Sequence, residues 1–335
     1  MPRSINEQVV VITGASSGIG RTTARMFAAA GARLLLGSRN AESLNELVHE
    51  IAEAGGVAHA IPTDVTEREH VEQLADAALN YFGRIDTWVN NAGISIYATF
   101  DKLTDEEIRR IMDVNFMGTI YGIQAALPRM RAEGEGTIIN VASVAGKRAI
   151  PLQSIYSASK FAIVGLGESL RAELAGEPAR INVCTICPPS INTPFFDHVL
   201  TKEGFAPKPM APVYDPETVA EAIIACAENP QREVLVGSAG KALTLFNAVA
   251  PGLADWFMAR AGVSGQLTTE PKSSSEVNNL FEIPPDKRER GGWTARGTRE
   301  GAEDAQSSNI LTQHPVAASL AGAAALALAA RLLLR

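Results

Sequence analysis

Tyr156-Ser157-Ala158-Ser159-Lys160 puts a phenol and an ammonium one helical turn apart on one face. A phenol with the ordinary pKa of about 10 is roughly 0.1% ionised at pH 7, too little for an efficient general base. A cation held about 4 Å away interacts by about 4 kcal/mol at an effective dielectric of 20, which predicts a pKa about two to three lower. Tyr156 is therefore the expected proton donor or acceptor toward a ligand oxygen, with Lys160 as its activator. Ser143, at the end of the apolar run Thr137 to Val141, is placed to hydrogen-bond such an oxygen as charge builds on it. Asn115, inside a long helical pattern, is expected to hold a water or a backbone kink that relays protons to Lys160.

A second pattern binds rather than reacts. Thr13-Gly14-Ala15-Ser16-Ser17-Gly18-Ile19-Gly20 lies between a β-branched run, 8–13, and an alanine-rich helical run, 21–30. Glycines there allow a tight turn and close backbone approach to a pyrophosphate, and the following helix start supplies N–H groups and a positive dipole end. Folds of this kind that take NAD usually place an acid about 20 residues past the turn. Here that place reads Leu36-Gly37-Ser38-Arg39-Asn40. With no acid, and with Arg39 able to donate charge-assisted hydrogen bonds to a 2′-phosphate beside Ser38, NADP(H) is the expected cofactor and NAD(H) the alternative. Asp64 and Val65 are expected to face the adenine, and Asn90-Asn91-Ala92-Gly93 to complete the floor of the site.

Elements that could position these residues alternate along the chain. Strands are expected at 8–13, 33–36, 57–62, 85–89, 136–141, 180–186 and 233–236, with helices at 21–30, 42–54, 67–82, 104–132 and 154–175 between them. Strands that read as continuous apolar runs imply a parallel sheet covered on both faces, an α/β fold. Thr104 and Glu107 form a capping box, and Asp215-Pro216 opens a later helix.

Composition narrows the classes. A net charge of −7 argues against broad adhesion to nucleic acid, and five scattered histidines show no metal-ligand spacing. Three cysteines do not make a disulfide framework, and Cys184 and Cys187 fall inside an apolar run that reads as a buried strand. The opening Met-Pro-Arg-Ser-Ile runs almost directly into a strand, without a secretory leader, so a cytoplasmic catalytic domain is expected. Pro194 to Tyr214 carries Phe195, Phe196, Phe205, Met210 and Val213, the lid of an apolar pocket or side chains that pack it down. Lys241 to Gly262 is apolar enough for an interfacial helix, a dimer contact or a lid support. Beyond the domain at 1–262, residues 263–314 read as a flexible tether and 315–335 as a hydrophobic helix. Residues 316–334 are about long enough to cross a bilayer core, which suggests an anchor on the inner face of a membrane; the rival is a helix packed on a partner or on its own domain.

These motifs together resemble the short-chain dehydrogenase/reductase family over roughly residues 5 to 240: Thr-Gly-x-x-x-Gly-x-Gly, Asn-Asn-Ala-Gly, and the set Asn115, Ser143, Tyr156 and Lys160. The resemblance implies one doubly wound Rossmann domain with a seven-stranded parallel sheet, and hydride transfer between nicotinamide and a small lipophilic carbonyl or alcohol. It also implies that Tyr156, Lys160, Ile191 and Thr193 touch the cofactor and that helices 104–132 and 154–175 pair into homodimers or homotetramers. One departure stands out, Pro188-Pro189 where the family usually has Pro-Gly. The contrasting class is a dinucleotide-binding regulatory or scaffold protein, which has no need of a paired Tyr and Lys.

Overall fold

The structure, a computed structural model, describes residues 2–300. Seven strands form one parallel sheet: β1 (Val9–Thr13), β2 (Arg33–Ser38), β3 (Val57–Pro62), β4 (Thr87–Asn90), β5 (Glu135–Val141), β6 (Arg180–Cys187) and β7 (Glu233–Leu235). Their order is β7-β6-β5-β4-β1-β2-β3, so the chain reverses direction across the sheet beside β1 and β4. In open sheets of this kind a crevice forms outside the strand C-termini at that switch point.

Successive side chains of a strand serve opposite faces. Val9 and Val11 pack with α3 (Arg68–Phe82), whereas Val10 and Ile12 pack with α1 (Gly18–Ala29) and α2 (Ala41–Glu53). Both sets are fully buried, which is why the strands read as unbroken apolar runs. The single helix expected over 104–132 is instead three pieces: α4 (Asp105–Met112), a π-helical turn (Asp113–Met117) and α5 (Gly118–Glu133). Thr104 and Glu107 close the capping box as expected. Beyond α6 (Ser154–Leu174) and α7 (Pro216–Glu228), the apolar stretch after β7 folds as α8 (Gly237–Val249) and α9 (Pro251–Phe257), with Leu253, Trp256 and Phe257 exposed. Cys184, Cys187 and Cys226 are buried and free.

The expected tether differs from the structure through residue 300. Leu267–Pro271 pairs antiparallel with Phe205–Pro207, Leu280 is fully buried among side chains of the α3–α5 face, and Trp293 packs edge-on against Phe196 with ring centroids 6.1 Å apart. Between these anchors the chain is held mostly through backbone groups, which accept from Arg39, Asn40, Ser43 and Arg110 and donate to Asn192. Isolated apolar anchors among polar residues leave no periodicity, which explains why the segment reads as a tether. The apolar segment 316–334 lies outside the described residues, and among the described residues no helix is long and apolar enough to cross a membrane.

A buried leucine and a leucine on a loose tether differ in cost. Leu280→Ala is expected to destabilise the protein by about 2–5 kcal/mol in equilibrium urea unfolding. An unchanged midpoint would mean that the segment is not part of the core.

Candidate active site

The glycine turn is built by close approach. Gly14 and Gly18 have φ of 67° and 51°, the left-handed region that favours glycine. A Cβ on Gly20 would stand 2.2 Å from the carbonyl oxygen of Gly14, so α1 starts hard against the turn. Thr13, buried beneath, takes the N–H groups of Asn91 and Ala92 on its hydroxyl, and the Asn91 carboxamide donates back to the carbonyls of Thr13 and Gly14. The ends of β1 and β4 are thereby locked together. Ser17, the N-cap of α1, makes no side-chain capping bond, and the Gly18 N–H at the helix start donates to the carbonyl of Arg288 at 2.9 Å.

A cavity of about 240 Å³ lies over this turn. Gly14, Ser16, Ser17, Gly18, Ile19 and Gly20 line one side. Ser38, Arg39, Asp64 and Val65 line the far end, and Asn91, Ala92, Gly93 and Thr193 the near end. The Ser38 hydroxyl donates to that of Ser16 at 2.9 Å, and Arg39 donates to the carbonyl of Asn279 at 3.0 Å, so one of its N–H groups is already engaged. Arg110 bridges Asp64 and Thr66 at the same end. Its role there was not legible in the sequence, because an arginine on an exposed-looking helix carries no motif. These groups fit a phosphate-bearing dinucleotide: a helix start with no side-chain cap, glycines that admit close approach, and a cation at the far end.

A second cavity, about 170 Å³, adjoins the first and shares Ile19, Asn91, Gly93, Thr193 and Phe195 with it. Ser143, Tyr156, Lys160 and Ile191 line it. Lys160 donates to the carbonyl of Val141 at 2.9 Å, and its Nζ is 5.6 Å from the centre of the Tyr156 ring. Asn115 sits in the π turn, fully buried, with its Oδ1 accepting from the N–H of Ile94 at 2.8 Å and its Nδ2 donating to the Ile94 carbonyl and the Ser159 hydroxyl. A Cβ on Gly93 would stand 3.5 Å from both Asn115 Oδ1 and Lys160 Nζ, so the strand end, the π turn and α6 meet at one point. π turns of this kind often mark functional positions.

The expected lowering of the Tyr156 pKa is not what the structure supports. Burial pushes the phenol up to about 12, against the hydrogen bond with Ser143, which lowers it. Burial also brings Lys160 down to about 8. Both side chains lose water, and for each that loss is the largest contribution.

Sequence reasoning missed part of the lining. Tyr97, Gln153 and Gln266 face the second cavity, with Gln153 donating to Gln266 at 2.6 Å. Asn279, Ile283, Pro284 and Asp286 face the first, from the segment read as a tether. From the expected lid, Phe195, Phe196 and Met210 line the second cavity, Val213 packs in a cluster with Tyr97 and Trp293, and Phe205 is exposed. Pro188, whose carbonyl accepts from the Val144 N–H at 2.9 Å, and Pro189 form part of the same rim.

Residues 8–204 match the family described as short chain dehydrogenase. The chain belongs to that family. An uncharacterized oxidoreductase of Bacillus subtilis is 40% identical over 298 residues, covering 87% of this chain and 83% of the relative. A metagenomic short-chain oxidoreductase solved with NADP superposes with a TM-score of 0.59 at 29% identity, over 70% of this chain and 98% of that one. A Burkholderia phymatum short chain dehydrogenase/reductase solved with NAD gives 0.65 at 27% identity, over 75% and 96%. As a short-chain dehydrogenase the chain is an oxidoreductase by family.

The buried lysine of this short-chain dehydrogenase makes a signed prediction. Its folded pKa of about 8 lies below the ordinary 10.5, so the charged form is the costly one and the unfolded chain holds more protons between those values. The stability of the cofactor-free wild type relative to Lys160→Met should therefore rise by about 3 kcal/mol from pH 8 to pH 10.5 in chemical denaturation. A difference that stays flat with pH would contradict the buried, depressed amine.

Proposed function

We propose that this protein is an NADP(H)-dependent reductase or dehydrogenase of small lipophilic carbonyls or alcohols, with Tyr156 as the group that exchanges a proton with the substrate oxygen. The observation that carries this reading is the adjacency of the two cavities: Ser143, Tyr156 and Lys160 line one, and it opens past Gly93 and Thr193 onto the glycine turn. A nicotinamide dinucleotide bound along both would supply or accept a hydride at their junction.

In the reductive direction Tyr156 works as an acid. A phenol with a pKa raised to about 12 holds its proton across the ordinary pH range, the state needed to protonate a carbonyl oxygen. Ser143 donates a second hydrogen bond to the same oxygen as charge develops on it. Lys160 and Asn115, behind Tyr156, position and resupply the proton. The second cavity is walled by Ile150, Phe195, Phe196 and Met210, a mostly apolar surface that favours a lipophilic substrate. NADP(H) rather than NAD(H) is supported by the absence of an acid at the end of β2 and by Arg39 lining the far end of the first cavity, while Asn40 is spent capping α2 through the Ser43 N–H at 3.0 Å.

The test is oxidation of NADPH, with NADH in parallel, against a panel of apolar ketones, aldehydes and quinones. Tyr156→Phe should lower kcat by about 10²- to 10⁴-fold while NADPH still binds. Arg39→Ala should cost about tenfold in kcat/KM with NADPH and leave NADH little changed. A Tyr156→Phe protein as active as wild type would remove the proton-transfer role, and equal losses with both cofactors in Arg39→Ala would remove the 2′-phosphate contact.

A further inference from the structure

Residues 279–293 cross the first cavity from bank to bank. On one bank, Arg39 and Asn40 donate to the carbonyls of Asn279 and Pro284, Ser43 to that of Asp286, and the N–H of Gly18 to that of Arg288 at 2.9 Å. On the other, the N–H groups of Gly291 and Trp293 donate to Asn192 Oδ1 at 3.1 and 2.8 Å, and Arg288 pairs with Asp197 at 2.8 Å. The cavity between the banks is therefore roofed by the strap, and Asn279, Ile283, Pro284 and Asp286 are among its walls. Asn279 adds a second observation, because this lining residue has a buried Oδ1 without a hydrogen-bond partner. A buried acceptor left unpaired is costly, and an amino or hydroxyl donor on a ligand would satisfy it.

We propose that this strap is the fourth wall of the dinucleotide site: it closes over the adenosine half of the cofactor, Asn279 accepts a hydrogen bond from it, and cofactor enters and leaves only when the strap lifts. The idea rests on the cofactor reading above and adds to it a residue and a gate. Residues that hold the strap down are then residues that set exchange rates. Gly291 is the sharpest handle. A Cβ there would stand 2.3 Å from the Thr193 carbonyl oxygen, and since its φ is not among the positive ones, Ala at this position wedges the strap away from the rim without straining its own backbone.

The experiment is stopped-flow binding and displacement of NADPH on the full chain, followed by NADPH fluorescence, with NADH as the second probe. In Gly291→Ala both the association and dissociation rates should rise about tenfold. In Asn279→Ala the dissociation rate should rise about three- to tenfold with association unchanged. Trp293→Ala, which removes an anchor instead of adding a wedge, should reproduce the Gly291→Ala kinetics, and a wedged variant that fails to fold leaves Asn279→Ala and Trp293→Ala to decide. Binding with unchanged rates in these variants overturns the strap while leaving the cofactor reading intact. Tighter binding in Gly291→Ala with an unchanged dissociation rate also overturns it, because the strap would then compete with the cofactor. Failure of the wild type to bind either dinucleotide overturns the cofactor reading and the strap with it.

Discussion

A buried amine is the constraint around which the active site is arranged. Lys160 is 4% exposed, and an ammonium so far from water is costly unless polar groups surround it. The carbonyl of Val141 at the end of β5 takes one of its N–H groups. Gly93 lies beside both the amine and Asn115, a Cβ there standing 3.5 Å from each, and Gly146 lets its own turn lie against the Lys160 backbone, where a Cβ would come within 2.6 Å of the carbonyl oxygen. The π turn that presents Asn115 and the strand ends that present Gly93 and Val141 all converge on the same few ångströms. Even so, burial holds the amine low and the neighbouring phenol high.

Much of this was legible in the sequence because it is written in backbone requirements. The strands appear as unbroken apolar runs since both faces of a parallel sheet are covered, and the glycine turn appears because a Cβ at Gly20 cannot be accommodated. Tyr156 and Lys160 are recognisable by spacing along α6, Ser143 by its position after a strand and Asn115 by its place in the capped helical run, and the structure brings Ser143, Tyr156 and Lys160 to one cavity with Asn115 behind it. At Asn115 a water or a backbone kink is expected from sequence, and the structure has a π turn splitting one long helix.

The strap was illegible for a physical reason. Its anchors are single residues, Leu280 and Trp293, separated by polar sequence, and most of its hydrogen bonds run through carbonyls and N–H groups that any sequence possesses. Periodicity cannot register such a segment, and its charged residues read as solvated even though Lys287, Arg288 and Arg290 pair with Glu46, Asp197 and Glu217 on the domain. The pKa of Tyr156 was misjudged for a related reason: the attraction of a nearby cation can be read from spacing, but the extent of desolvation can be known only from packing.

The central claim is that a hydride passes directly between nicotinamide C4 and a substrate carbon at the junction of the two cavities. The most direct test supplies NADPH deuterated at either face of C4 and follows the label into the product by mass spectrometry. Transfer of deuterium to the carbinol carbon from one face and not the other is the predicted result. Label found in solvent, or in product from both faces equally, would contradict the account.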